Sequence, residues 1–332
     1  MAESTAHRLA GGTVEMHMQP IVDLETHTTV AFEALARLVR PDGTLVNAAE
    51  FVPRLSPLDI DRLFVIALDQ SLRALASWRG TGLDVDVSVN IDPSTLASPD
   101  CADWIADALR THAVPPVRLL LEILETHAIT DPRQRSTIAA IGSIGARLVL
   151  DDLGSGHSDL ERLESIDFDM IKIDGAVVAA LASAPEETIR TLVDFVRIGT
   201  ETGLRTVVEG IETLEMAAVA SIVGAQLGQG YEIARPMPAS EVLGWVAGQV
   251  LSPSGYEPSF SSVLAFHGRY GSGSPHTGDV DDCWISAFLA AHAGSEPVGE
   301  WHASQHGAAT AQTADGGRRL TDWLVRCMDL AA

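Results

Sequence analysis

Lysine is almost missing from this chain: of 22 basic residues in 332, Lys172 alone carries an amine and the rest are arginines. Cysteine is scarce as well. Cys101, Cys283 and Cys327 are odd in number and form no C-x-x-C pair, which excludes a disulfide framework or a zinc ribbon and predicts reduced, mostly buried thiols. No apolar run approaches the roughly 18 to 20 residues that cross a bilayer. Met1 to Val14 lacks the basic-then-apolar layout of a signal peptide, so a cytoplasmic location without a membrane partner is expected. Positive charge is in deficit, with 45 acidic residues giving a formal net charge of -23. Such a field repels duplex DNA, RNA and anionic lipid at long range. A small anionic ligand would need local cations.

What is present is a globular composition, 46% hydrophobic over 332 residues, enough for one large domain and a small second one. Short β-rich runs alternate with helical patterns from about Thr13 to Pro238. The strand candidates are Glu15 to Val22, Thr29 to Leu38, Val85 to Ile91, Leu119 to Ile123, Arg147 to Asp152, Met170 to Ile173, Thr206 to Glu209 and Ala225 to Leu227. Helical spacing of apolar residues marks Asp61 to Trp78, Asp103 to His112, Pro132 to Gly145, Glu186 to Thr202 and Leu214 to Val223. Units of about 30 residues repeated to roughly 250 predict an α/β fold of the (β/α)₈ barrel type, whose site lies where strands end. An open doubly wound sheet is the runner-up.

Beyond Pro238 the pattern changes. A last helix is expected at Ser240 to Val250, then Gly, Ser and His-rich sequence, then helices at Asp281 to Ala291 and around Leu320, Trp323, Leu324, Cys327 and Met328, which share one face. The expected organisation is a flexible N-terminus at 1–13, a barrel at 14–250, a linker at 251–278 and a small appendage of unreadable function at 279–332. His292, His302, His306 and Cys283 match no standard zinc spacing and read as ordinary residues.

Strand after strand ends on a polar side chain. Glu33 lies in the second run, and Asn90, Glu122, Asp151, Asp152, Lys172, Glu209 and Gln229 close the later ones. A single such residue is more often a cap or a turn former. The set is different, because carboxylates converging on one barrel mouth need cations, and hard oxygen ligands with one amide suit Mg²⁺ or Mn²⁺. Successive strand residues face opposite ways, so Asp151 and Asp152 share a site only if the strand is already ending, which Gly154 and Gly156 would permit. One aspartate bridging two ions about 3.5 to 4 Å apart is a known arrangement for phosphodiester hydrolysis.

With these residues in view, Glu33-Ala34-Leu35 resembles the signature tripeptide of the EAL cyclic di-GMP phosphodiesterases. The other motifs follow in order: Gln19-Pro20-Ile21-Val22, Val89-Asn90-Ile91, Leu121-Glu122-Ile123-Leu124-Glu125, Asp151-Asp152-Leu153-Gly154-Ser155-Gly156, Ile171-Lys172-Ile173-Asp174, Glu209-Gly210-Ile211-Glu212-Thr213 and Gln229-Gly230-Tyr231. The resemblance implies hydrolysis of cyclic di-GMP to pGpG in a homodimer. It implies that Glu33, Asn90, Glu122 and Asp151 hold one metal, and that Asp151, Asp152 and Glu209 serve a second. Lys172 would orient or polarise the attacking water or an ion ligand, Gln229 and Glu212 would complete the polar shell, and Gln19 would join them in binding substrate. Arg37 would bind phosphate, and Glu125 would anchor the loop after Asp152.

That loop departs from the family's D-D-F-G-T-G-Y-S-S-L at four positions, Leu153, Ser155, His157 and Asp159, and Gly175 and Ala36 stand where arginine and leucine are usual. No direct ligand is lost. The altered loop motivates an alternative: a weakly active or inactive domain that serves as a cyclic di-GMP receptor or interaction module, with a regulatory partner reached through the C-terminal region. An enolase-like lyase, with Lys172 abstracting a proton, is the reading from another class.

Overall fold

The computed structural model describes residues 14–124, 129, 131–154, 163, 166–249, 259–271, 285–292, 294, 296–306 and 311–331. Ten strands are formed among them: β1 Val14–Asp23, β2 Thr29–Val39, β3 Leu45–Asn47, β4 Asp86–Asn90, β5 Leu119–Leu124, β6 Arg147–Leu153, β7 Met170–Ile173, β8 Arg205–Val208, β9 Leu227–Gly228 and β10 Met237–Pro238. β1 pairs with both β2 and β9, so eight strands close into a barrel, and β3 and β10 add to its ends. Closure excludes the open doubly wound alternative. From β2 through β9 the barrel strands run parallel, whereas β1 is antiparallel to both of its barrel neighbours.

The barrel interior is filled by one residue from almost every strand. Ile21, Ala31, Leu120, Val149, Met170, Val207 and Leu227 form a separate buried cluster, a packed plug of the kind that makes such barrels solid. Because strand side chains alternate, the residue two positions further along faces inward as well. From Ala31 that step reaches Glu33; from Leu120, Glu122; from Val149, Asp151; from Met170, Lys172; from Val207, Glu209; and from Leu227, Gln229. The polar layer thus stands directly on an apolar floor.

Helices cover the outside. The longest, Pro57–Gly80, starts where Ser56 Oγ accepts from the Asp59 amide with proline at N1, and buries Phe64, Ala67, Leu68, Ser71, Leu72 and Leu75 at helical spacing. Phe32, fully buried in β2, meets Trp78 at 5.3 Å and Trp245 at 6.2 Å between ring centroids. The segment expected to be a linker, 251–278, contains a helix at Phe260–Gly271 that packs on the helices Leu214–Val223 and Pro185–Thr202. Further helices follow at Ser286–His292, Val298–Ala303 and Ala311–Ala331. The expected apolar face of the last is buried at Leu320, Trp323 and Leu324. Among the described residues no helix is long and apolar enough to cross a membrane.

Candidate active site

At the mouth a cavity of about 420 Å³ is lined by Gln19, Glu33, Leu35, Asp151, Asp152, Lys172, Glu209, Gly210, Glu212, Gln229, Gly230 and Tyr231. Its centre is Lys172, only 1% exposed. The Nζ atom lies 3.1 Å from Glu33 Oε2, 3.1 Å from Glu122 Oε2, 3.2 Å from Asp151 Oδ1 and 2.5 Å from Glu209 Oε1. Burial alone would strip its proton, but Asp151, Glu122, Glu209 and Glu33 hold the ammonium well above the usual lysine range.

One cation does not neutralise five carboxylates. Burial opposes ionisation of Glu33, yet the Lys172 charge and hydrogen bonds from Gln229 Nε2 (2.7 Å) and Asn90 Nδ2 (3.0 Å) hold it below the ordinary range. The others move upward. Burial, with the charge of Glu33 added, raises Glu122 well above its usual value, and burial raises Asp151. Asp152 is pushed up to about 6 by burial and then by Asp151. Burial lifts Glu209 to about 8.

Asp151 and Asp152 reach the same site by a device other than the expected strand end. β6 continues to Leu153, and its register with β7 slips between Leu150 and Leu153. Asp152 takes φ +61° and Gly154 φ +104°. This bulge turns two adjacent aspartates to one side, and aspartate tolerates the left-handed region better than most residues. Ligand oxygens of Asp151, Asp152 and Glu209 lie within 4.8 Å of one another. Glu33 and Glu122 instead gather on the lysine, and Asp151 and Glu209 belong to both groups.

Other expected residues are placed as follows. Gln19 receives a hydrogen bond from Gln229 Nε2 (3.3 Å) and donates to Ala234 O (3.2 Å). Arg37 does not line the cavity. It lies on the inward face of β2, four residues past Glu33, with Nη1 donating to Ala36 O at 2.9 Å. Glu125 and the loop positions Ser155, His157 and Asp159 lie outside the described residues. Leu35 and Tyr231 line the cavity although no role had been assigned to them. Leu35 was reachable by the two-residue period from Glu33, whereas Tyr231 follows a two-residue strand too short to carry a period.

Glycine has steric reasons here. A Cβ at Gly210 (φ +65°) would stand 2.7 Å from Gly175 Cα, so the loops leaving β7 and β8 touch through bare backbone. This contact gives Gly175, in place of the usual arginine, a packing role. A Cβ at Gly230 would overlap the backbone of Ile211. Gly230→Ala is therefore expected to destabilise the protein by about 3 kcal/mol, at the upper end of overpacking, measured by urea unfolding.

The match to known proteins follows this geometry. The family model described as "EAL domain" matches residues 2–236. The chain belongs to the EAL domain family. Cyclic di-GMP phosphodiesterase RocR of Pseudomonas aeruginosa is 29% identical to it over 242 residues, 72% of this chain and 62% of RocR. Probable cyclic di-GMP phosphodiesterase PdeB of Escherichia coli is 26% identical over 248 residues, 73% of this chain and 47% of PdeB. The chain thus spans less than two thirds of either relative. Among solved structures, the PaMucR phosphodiesterase in complex with c-di-GMP superposes with a TM-score of 0.68 at 26% identity, covering 72% of this chain and 98% of that one. The EAL enzyme Bd1971, at 23% identity and a TM-score of 0.69, supports the barrel fold.

The donor set of the EAL domain suits a hard divalent cation. It consists of carboxylate and amide oxygens without sulfur or imidazole. Two of its buried oxygens, Glu122 Oε1 and Gln229 Oε1, have no hydrogen-bond partner, and unmatched buried acceptors call for a cation or a water.

Proposed function

We propose that this EAL domain hydrolyses cyclic di-GMP to linear pGpG with Mg²⁺ or Mn²⁺, two ions to a site. The observation that carries the reading is the mutual approach of Asp151, Asp152 and Glu209 within 4.8 Å beside a second carboxylate group on Lys172. Asp151, Asp152 and Glu209 would hold one ion, and Glu33, Asn90, Glu122 and Asp151 the other. Such ions supply activation of water and neutralise charge developing at phosphorus.

The remaining work falls to side chains. Lys172 Nζ, kept protonated, presents three donors to carboxylates that converge on one point, which a compact ammonium serves better than a planar guanidinium, and it would orient the attacking water. Glu209, 2.5 Å from the Lys172 amine and within 4.8 Å of both aspartates, would hold its ion and the lysine in one cluster. Gln229 and Gln19 hold Glu33 and the β1 wall in register. Arg37 swings from Ala36 O to a phosphate oxygen, gaining a charge-assisted pair. Tyr231, 49% exposed at the rim with the Arg235 guanidinium 4.3 Å over its ring, and Glu212 border the substrate.

The test is incubation of the full chain with cyclic di-GMP and Mn²⁺ or Mg²⁺, products being separated by chromatography. Linear pGpG is expected from the unmodified protein. Glu33→Ala and Lys172→Ala are each expected to lose at least about 10²-fold in rate. Binding of cyclic di-GMP without product would replace hydrolysis with a receptor role.

A further inference from the structure

The EAL match ends at residue 236, yet the helices beyond it are packed onto the layer that backs the aspartate bulge. Three contacts in series make the connection. Gly154, the second residue after Asp152, is covered by the side chains of Phe195 and Val177: a Cβ there would stand 3.0 Å from Phe195 Cε2 and 3.0 Å from Val177 Cγ2. Phe195 belongs to the helix Pro185–Thr202. Six residues earlier on another face of that helix, buried Ile189 meets the C-terminal helix Phe260–Gly271, where a Cβ at Gly268 would stand 3.1 Å from Ile189 Cγ2. The next residue, Arg269, ties the same helix to the barrel by donating from Nη1 to Ile222 O at 2.7 Å. Its guanidinium lies over Gly224, the left-handed C-cap of Leu214–Val223.

We infer that Phe195 is a positioning residue for the Asp151–Asp152 pair, and that the C-terminal helix Phe260–Gly271 sets Phe195 from outside. The inference rests on the cation-binding reading proposed above. Its physical basis is the conformation of Asp152. A non-glycine residue at φ +61° persists only where its surroundings over-determine it. Leu153 is fully buried on one side of the bulge, and the Phe195 ring closes the other at Gly154. A helix pressed on by Phe260–Gly271 from outside and bearing on Gly154 from inside behaves as a clamp. Loosening either face lets the bulge relax, so the three carboxylates separate before the barrel unfolds. The helix Phe260–Gly271 then forms part of the machinery that shapes the cation site, rather than an inert attachment.

The test uses the full chain and four variants: Phe195→Ala, Phe195→Leu, Gly268→Val and, as a matched core cavity on the far helix Pro57–Gly80, Leu72→Ala. Two readouts are taken well below the melting temperature. One is Mn²⁺ affinity by calorimetry, and the other is amide hydrogen exchange over residues 147–154 in metal-free buffer. Phe195→Ala is expected to weaken Mn²⁺ binding about tenfold, the scale of a lost supporting contact behind a ligand, and to speed exchange over 147–154. Gly268→Val, which wedges the dock, moves both in the same direction by a smaller factor, and Phe195→Leu recovers most of the loss. Leu72→Ala lowers the melting temperature and moves neither. Unchanged exchange and affinity in both Phe195→Ala and Gly268→Val would overturn the clamp, as would an equal effect from Leu72→Ala. If the unmodified protein binds no Mn²⁺, the cation reading fails, while the exchange measurement still decides the clamp.

Discussion

Lys172→Met is expected to lower the melting temperature of the metal-free protein by about 10 °C at pH 7, and Mn²⁺ is expected to restore much of the loss. Among the described residues the ammonium is the only cation ion-paired with these four carboxylates, none more than 3.2 Å away. Methionine preserves the length and much of the volume, so the variant isolates the charge. Removing one partner of a buried ion pair typically costs about 3 to 5 kcal/mol. A domain of this size converts each kcal/mol into roughly 2 to 4 °C. Uptake of protons by Glu209 and Asp152 caps the loss, since both are already held toward the neutral form. A divalent cation replaces the missing charge through the same oxygens. Differential scanning calorimetry with and without Mn²⁺ checks both halves, and an unchanged metal-free melting temperature would mean that the carboxylates are neutral without the lysine.

The second large effect is an inverted pH dependence. Most proteins gain stability as carboxylates ionise, because folded carboxylates are usually the stronger acids. Here Glu209 is raised to about 8 and Asp152 to about 6, and Asp151 and Glu122 move in the same direction. A folded state that binds more protons than the unfolded chain loses stability as pH rises, by about 1.4 kcal/mol per pH unit for each differing proton. The contribution is fully present below the unfolded carboxylate range and lost as pH climbs through the folded values. Metal-free protein is therefore expected to weaken steadily between about pH 5 and 8. His17 acts oppositely in this window, its folded value being lowered by burial, but it is one group against four, and Glu33, also lowered, acts only below it. Saturating Mg²⁺ should flatten or reverse the slope, because ions favour the deprotonated carboxylates. Urea unfolding at pH 5, 6.5 and 8, with EDTA or with Mg²⁺, provides the comparison. A metal-free protein more stable at pH 8 than at pH 5 would contradict the assignment.

Much of the site was legible because a period of two carries information along each strand. An apolar residue with a polar one two places later recurs at Leu120 and Glu122, Val149 and Asp151, Met170 and Lys172, and Val207 and Glu209. The structure stacks them as floor and site. The lone lysine was conspicuous for the same reason, standing at the end of such a pair. The bulge at Asp152 left no sequence mark: aspartate permits a left-handed conformation without requiring it, and neither a strand end nor a bulge changes the pattern Leu-Val-Leu-Asp-Asp. The helix Phe260–Gly271 was missed because its Ser, His and Gly content reads as linker. Its small residues are what allow close approach to Ile189, while Arg269 reaches the end of another helix. Arg37 shows the reverse limit, since a motif position gives a residue's neighbourhood and not the direction in which a long side chain points.

The reversed first strand has a practical consequence. Val14 pairs with Leu38 near the mouth end of β2, whereas Asp23 pairs with Leu227 at the floor. The polypeptide therefore enters the barrel from the side on which the cavity opens. Val14, the first described residue, stands on the rim side of the barrel. A bulky group joined directly at Val14 is expected to narrow access to the cavity without altering a single residue of the site.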